Sequence, residues 1–241
     1  MSTKISIPSE IRYLIQETLD LLHAHPKHEM GQHQRRKIYQ ALWTTSQGDI
    51  ASKWLAILAA RRTQPLYEQA VAASSLSNEE FDEGPVMGLV DRMLRLAEHI
   101  ATGTLSPDQV KESTQRGEIE DFYHNTLVAT HDDFPYYVWL ATGAAYYALS
   151  ETLGVRPLET TVSGQVTDAN GNLVHCRSDT WFDNQLAGSG SHAADASVDA
   201  AYAVAEMTID GVYDTSKLLE FWVWWLKEGI PEAWHKAGEK Q

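Results

Sequence analysis

Cysteine is almost missing from this chain. Cys176 has no second cysteine to pair with, which excludes an intrachain disulfide and fits a reducing compartment. Long apolar runs are missing too. No stretch approaches the roughly 18 uninterrupted apolar residues that mark a membrane-spanning helix, and the opening MSTKISIPSE has no apolar h-region. The expectation is a soluble, cytoplasmic protein with no membrane partner. Basic residues are scarce: 19 Lys and Arg stand against 33 Asp and Glu, a formal charge of −14. The scarcity is uneven. Between Gly117 and Ser216 fifteen acids meet only Arg156 and Arg177, so −13 of the total sits in that segment. Such a field repels phosphate backbones and anionic membranes, which argues against nucleic acid as a partner, and it attracts and steers a cationic one. Solubility alone accounts for an acidic total. The lopsidedness is what favours a basic partner.

What is present speaks for a folded, helical chain. The 241 residues are 43% hydrophobic and include eight Trp and ten Tyr, enough to bury a substantial core as a single domain over 1–241. Ser9–His23 places Ile11, Leu14, Ile15, Leu19 and Leu22 at helical spacing behind Pro8. Gln32–Thr44, Ala51–Arg62 and a short run opening at Pro65 follow. Val86–Ala101 has a helical stripe with Gly103 as its cap, and Ser106 with Gln109 forms a capping box. Glu118–Ala129 and the small-residue-rich Phe134–Leu153 read as further helices, the second central because Ala141, Gly143, Ala144 and Ala148 admit a close neighbour. Leu158–Cys176 sets Thr161, Val162, Val166, Leu173 and Val174 around Asn170-Gly171, which predicts a β-hairpin lying on the helices. The expected fold is therefore all-α, a multi-helix domain with one small β-hairpin inserted at about 158–176, before the last two helices.

The last of these, Asp214–Lys236, is capped by Asp214 or Thr215 and carries Leu218, Leu219, Trp222, Val223, Trp225, Leu226 and Ile230 in one apolar arc. Trp224 falls in the opposite, polar arc, so it packs under another helix or anchors a partner. Pro231 is expected to end or kink the helix near Ile230. Before it, the Ala-rich helix Ala193–Met207 lines up Asp195, Asp199, Tyr202 and Glu206 at i, i+4, i+7 and i+11. That stripe is either a solvated face or one presented to a partner's Arg or Lys, and the nearby Asp179 and Asp183 extend the same acidic candidate surface.

Motifs for chemistry are weaker. His23, His25, His28 and His33 cluster around Pro26, but His28-Glu29 meets its next histidine five residues on, where a zinc helix needs four. Asp121 and Glu120 sit three and four before His124 with no second copy of the motif that a metal-binding bundle uses. Gly188–Ser191 lacks the Gly-Lys-Ser/Thr ending of a phosphate loop. No catalytic residue, metal ligand or cofactor is assigned.

Three stretches together carry a family likeness: Leu55–Glu68 (LAILAARRTQPLYE), the helix with Asp195 and Asp199 ahead of Ala201-Tyr202, and the closing FWVWWLKEGIPEAW. In these the chain, from about Gln32 to Ala237, resembles the Imm5-type immunity proteins of bacterial polymorphic toxin systems. The resemblance implies a mostly α-helical, non-catalytic protein that binds and neutralises a cognate toxin encoded beside it, and a basic nuclease would suit the acidic bias. The hairpin has no counterpart in the family pattern. The alternatives are a metal-dependent helical-bundle enzyme, and a helical structural module that homodimerises through Trp224.

Overall fold

The computed structural model describes residues 6–73, 88–111, 135–154, 165–167, 173–175 and 192–239. Helix α1 (Ser9–Ala24) starts behind Pro8 and buries Ile11, Leu19 and Leu22. It lies on α2 (Gln32–Trp43), which contributes Ile38, Tyr39 and Leu42 to the core. Helix α3 (Gly48–Arg61) is apolar on nearly every side and packs against most of its neighbours, with Leu55, Ala56, Ile57, Ala59 and Ala60 buried. A helix without a polar face belongs in the middle of a bundle, and this one sits there.

Helix α4 (Gln64–Ala73) follows directly, and α5 (Leu89–Ala101) buries the expected stripe of Leu89, Val90, Met93, Leu94, Ala97 and Ile100. Its C-terminus closes in the two-bond pattern of a Schellman cap. Thr104 N–H donates to His99 O and Gly103 N–H to Ile100 O, with Gly103 left-handed at φ 73°. In α6 (Pro107–Lys111) the capping box forms in both directions: Ser106 N–H donates to Gln109 Oε1 at 2.9 Å and Gln109 N–H to Ser106 Oγ at 3.2 Å.

Helix α7 (Tyr136–Leu153) and helix α8 (His192–Val204) pack extensively on each other. Ala141, Ala144, Ala145 and Ala148 on one and Ala193, Ala196, Ala200 and Ala203 on the other are fully or almost fully buried. Small side chains let the two backbones approach closely, as the sequence predicts. Gly154 ends α7 in the left-handed region at φ 62°.

The expected fold class needs correction over 158–176. The packed body is helical. The described residues of that stretch are two three-residue segments, Gln165–Thr167 and Leu173–His175, paired antiparallel with each other. Among the described residues no hairpin of the predicted length is built into the helical fold, because a run of alternating residues around Asn-Gly specifies a turn without specifying a surface to lie on. The helix expected at Glu118–Ala129 and the Gly188–Ser191 loop lie outside the described residues.

The C-terminal helix is also not a single α-helix. Helix α9 (Thr215–Trp224) passes into a π-helical turn, Trp225–Gly229, and then into α10 (Ile230–Gly238). Ile230 N–H reaches back five residues to Trp225 O. Pro231 explains the turn: it has no N–H to give, and its ring would press on the carbonyl four residues earlier. Pro231 therefore widens the helix where an end or a kink was expected. Among the described residues no helix is long and apolar enough to cross a membrane.

Candidate functional site

The acidic stripe on α8 runs from the interior to the surface. Its position follows from the helix itself: alanine on almost every side lets α8 be covered by α7, α3 and α9, and the stripe is carried inward with it. Asp199 is only 7% exposed and Tyr202 only 5%, while Asp195 is half-buried and Glu206 exposed. Burial, and next the neighbouring Asp195, push the Asp199 carboxyl well above the usual carboxylate range. Tyr147 of α7 faces the same pair, and its hydroxyl is raised by burial and then by Asp199 and Asp195. The inner half of the stripe is thus a buried polar layer in which Asp199 favours its neutral form.

Residues that sequence reasoning passed over complete this layer. Arg35 of α2 is 4% exposed, donates from Nη1 to Met30 O and lies 5.9 Å from the centroid of the Trp222 ring. Burial pulls its guanidinium down to about 10, against the opposing influence of Tyr202, Asp195 and Tyr39, so it stays charged at neutral pH. Tyr39 donates to Ala193 O at 2.9 Å and lies 2.9 Å from Ser197 Oγ, and Trp225 Nε1 donates to that same Ser197 Oγ at 3.1 Å. Side chains from α2, α8 and the π turn therefore meet at one hydroxyl. In the sequence Arg35 stands in a polar run, QHQRRK, with nothing local to single it out, and only the fold turns it inward.

The outer end of the stripe opens onto the connection between α8 and α9. Glu206 occupies the left-handed position of a Schellman cap at φ 53°, with Met207 N–H donating to Tyr202 O and Glu206 N–H to Ala203 O. Its carboxylate is bonded to Lys217 Nζ. The chain then makes a tight reversal. Thr208 N–H donates to Val212 O at 2.8 Å, Gly211 N–H to Thr208 O at 2.9 Å, and Gly211 takes φ 77°. This is the pattern of a three-residue loop closed by a left-handed glycine. Asp210-Gly211 between two aliphatic residues is a turn signal that the sequence did contain. Ile209 and Val212 stand 64% and 66% exposed at its tip. Tyr213 anchors its base, edge-on to Tyr202 at 5.4 Å and donating to Glu29 Oε1. Asp214 caps α9 by accepting from Ser216 N–H and Lys217 N–H, as expected.

Trp224 is half-buried. The Arg62 guanidinium at the end of α3 stacks 4.4 Å from its ring centroid, and Phe221 lies 5.5 Å away. Arg62 thus covers one face of the ring. Asp179 and Asp183 lie outside the described residues. The histidines make local bonds: His28 Nδ1 lies 3.1 Å from Leu22 O, and His25 Nδ1 accepts from Lys27 and Glu29 N–H at 3.4 Å each. Among the described residues no group of three or more His, Cys, Asp or Glu is placed to hold a metal ion.

Comparison with protein-family models finds no match to this chain, and comparison with curated proteins finds none.

Proposed function

We propose that the protein is a non-catalytic binding protein of the immunity type, which neutralises a basic protein toxin by covering it with an acidic surface. The observation that carries this reading is the charge asymmetry. Fifteen acids stand against two bases over 117–216, and from that segment into the last two helices Glu206, Asp210, Asp214, Glu220, Glu228 and Glu232 are exposed. An anionic surface of this kind speeds encounter with a cationic partner and rejects anionic competitors. The toxin class comes from the resemblance to Imm5-type proteins, whose targets are encoded beside them.

The test is co-expression with the product of the adjacent gene, followed by purification and binding kinetics. A 1:1 complex whose association rate falls steeply as salt rises supports the proposal. A purified pair that forms no complex even at low salt sinks it.

A further inference from the structure

The α8–α9 connection holds two features that the fold does not require. The loop Ile209–Gly211 closes through backbone bonds and one left-handed glycine, so polar residues would serve as well at the tip. Ile209 and Val212 are nevertheless aliphatic and about two-thirds exposed. The second feature is Glu206. At the equivalent cap of α5 the chain uses Gly103, which adopts the left-handed conformation without a Cβ penalty. At the end of α8 it keeps a glutamate there despite that penalty, and its carboxylate ties the connection to Lys217 on α9.

We infer that this connection, Glu206–Val212 with the start of α9, is the epitope that docks the basic partner, Ile209 and Val212 entering an apolar recess on it. The inference rests on the reading of the previous subsection. Of the four exposed carboxylates along this connection, Glu206 is paired with Lys217 and Asp214 caps α9, while Asp210 and Glu220 stand exposed beside them; with Lys217 the one base in 206–220, the connection keeps a net negative charge around its apolar tip. Protein interfaces are built this way, with a desolvated apolar anchor inside a charged border. The tip is also held rigid, by Asp214 N–H to Ala205 O at 2.9 Å, Val212 N–H to Thr208 Oγ1 at 3.2 Å and the Tyr213–Glu29 bond. A pre-formed loop loses little freedom on binding. The rim selects among occupants. A second copy of this chain docking symmetrically would set carboxylate against carboxylate, and an anionic lipid surface would be repelled. A cationic protein surface matches.

The experiment measures affinity of the full-length protein for the toxin encoded beside it. Ile209→Ala and Val212→Ala are each expected to weaken binding about tenfold or more, with unchanged thermal midpoints because neither side chain is buried. Asp210→Lys is expected to slow association and flatten its salt dependence. Glu206→Gly separates the functional from the structural role: it is expected to keep or raise the thermal midpoint while weakening binding. If wild type binds and these variants bind within twofold of it, the epitope lies elsewhere and the inference fails alone. If wild type does not bind, the functional reading fails with it. A wild-type dimer abolished by Ile209→Ala would overturn the inference in favour of self-association.

Discussion

Trp225 and Ser197 are joined at the centre of the protein: the indole N–H of the π turn donates to the hydroxyl of α8 at 3.1 Å, both residues fully buried. The hydroxyl also lies 2.9 Å from Tyr39 Oη and donates to Ala193 O at 2.9 Å. Ser197→Ala would leave the Trp225 N–H without its acceptor in a place water does not reach. A destabilisation of about 1–3 kcal/mol is expected, read from chemical denaturation. A loss below about 0.5 kcal/mol would mean that the indole finds another partner.

Asp199 sets a pH dependence. Its folded-state pKa lies above the unfolded value of about 3.9, so between the two the folded chain holds a proton that the unfolded chain has released. Stability contributed by this group therefore falls as pH rises through that window. Urea midpoints of wild type and Asp199→Asn, measured across mildly acidic to neutral pH, are expected to diverge, with the Asn variant ahead at the higher pH. Parallel curves would show that Asp199 titrates normally.

Two helical glycines are expected to respond in opposite directions to alanine. At Gly229 a Cβ would meet Leu55 Cδ1 at 3.5 Å and the Trp224 ring at 3.6 Å, ordinary contact distances, so Gly229→Ala is expected to stabilise by about 0.5–1 kcal/mol. At Gly48 a Cβ would collide with the Leu42 carbonyl and lie 2.8 Å from Trp43 Cα, all backbone that cannot swing away. Gly48→Ala is expected to lose roughly 1–3 kcal/mol. Thermal melts of the two variants check both signs.

Arg62 over the Trp224 ring is expected to show a coupling of about 0.5–1 kcal/mol in a double-mutant cycle with alanine at each position. A coupling of zero would mean that the guanidinium is held there by other contacts.

Much of the helical frame was legible. Ser9–Ala24, Gln32–Trp43 and Leu89–Ala101 carry strong 3.6-residue periodicity, and Pro8, Gly103, the Ser106–Gln109 box and Asp214 mark ends by local chemistry. The acidic stripe was legible as a line of residues and misleading as a surface. Alanine on every other side of α8 gives no apolar arc to orient it, so nothing local says that Asp199 and Tyr202 face inward. Arg35 was hidden for a related reason: apart from Met30 O and Tyr39, the groups around its guanidinium (Trp222, Tyr202 and Asp195) lie more than a hundred residues away, and sequence spacing does not encode them. The π turn needs knowledge of both Pro231 and the packing on either side of it.

That turn changes how the C-terminal pattern should be counted. Leu218, Phe221, Trp222 and Trp225 are buried before or at its start, and Ile230, Ala233, Trp234 and Ala237 after it. Leu226 and Gly229 are buried within it, so inward positions recur every four residues through Trp222, Leu226, Ile230 and Trp234, a spacing that outruns a 3.6-residue helix by about one residue over its three steps, and skipping a single position among Trp225–Gly229 takes up the excess. The exposed Lys227 and Glu228 are the positions to skip. The helix thus carries a silent residue, one that occupies chain without occupying a turn. Removing Lys227 together with Pro231→Ala should leave a plain α-helix with Trp234 and Ala237 still inside, whereas removing any residue of Thr215–Trp224 would turn them out of the core.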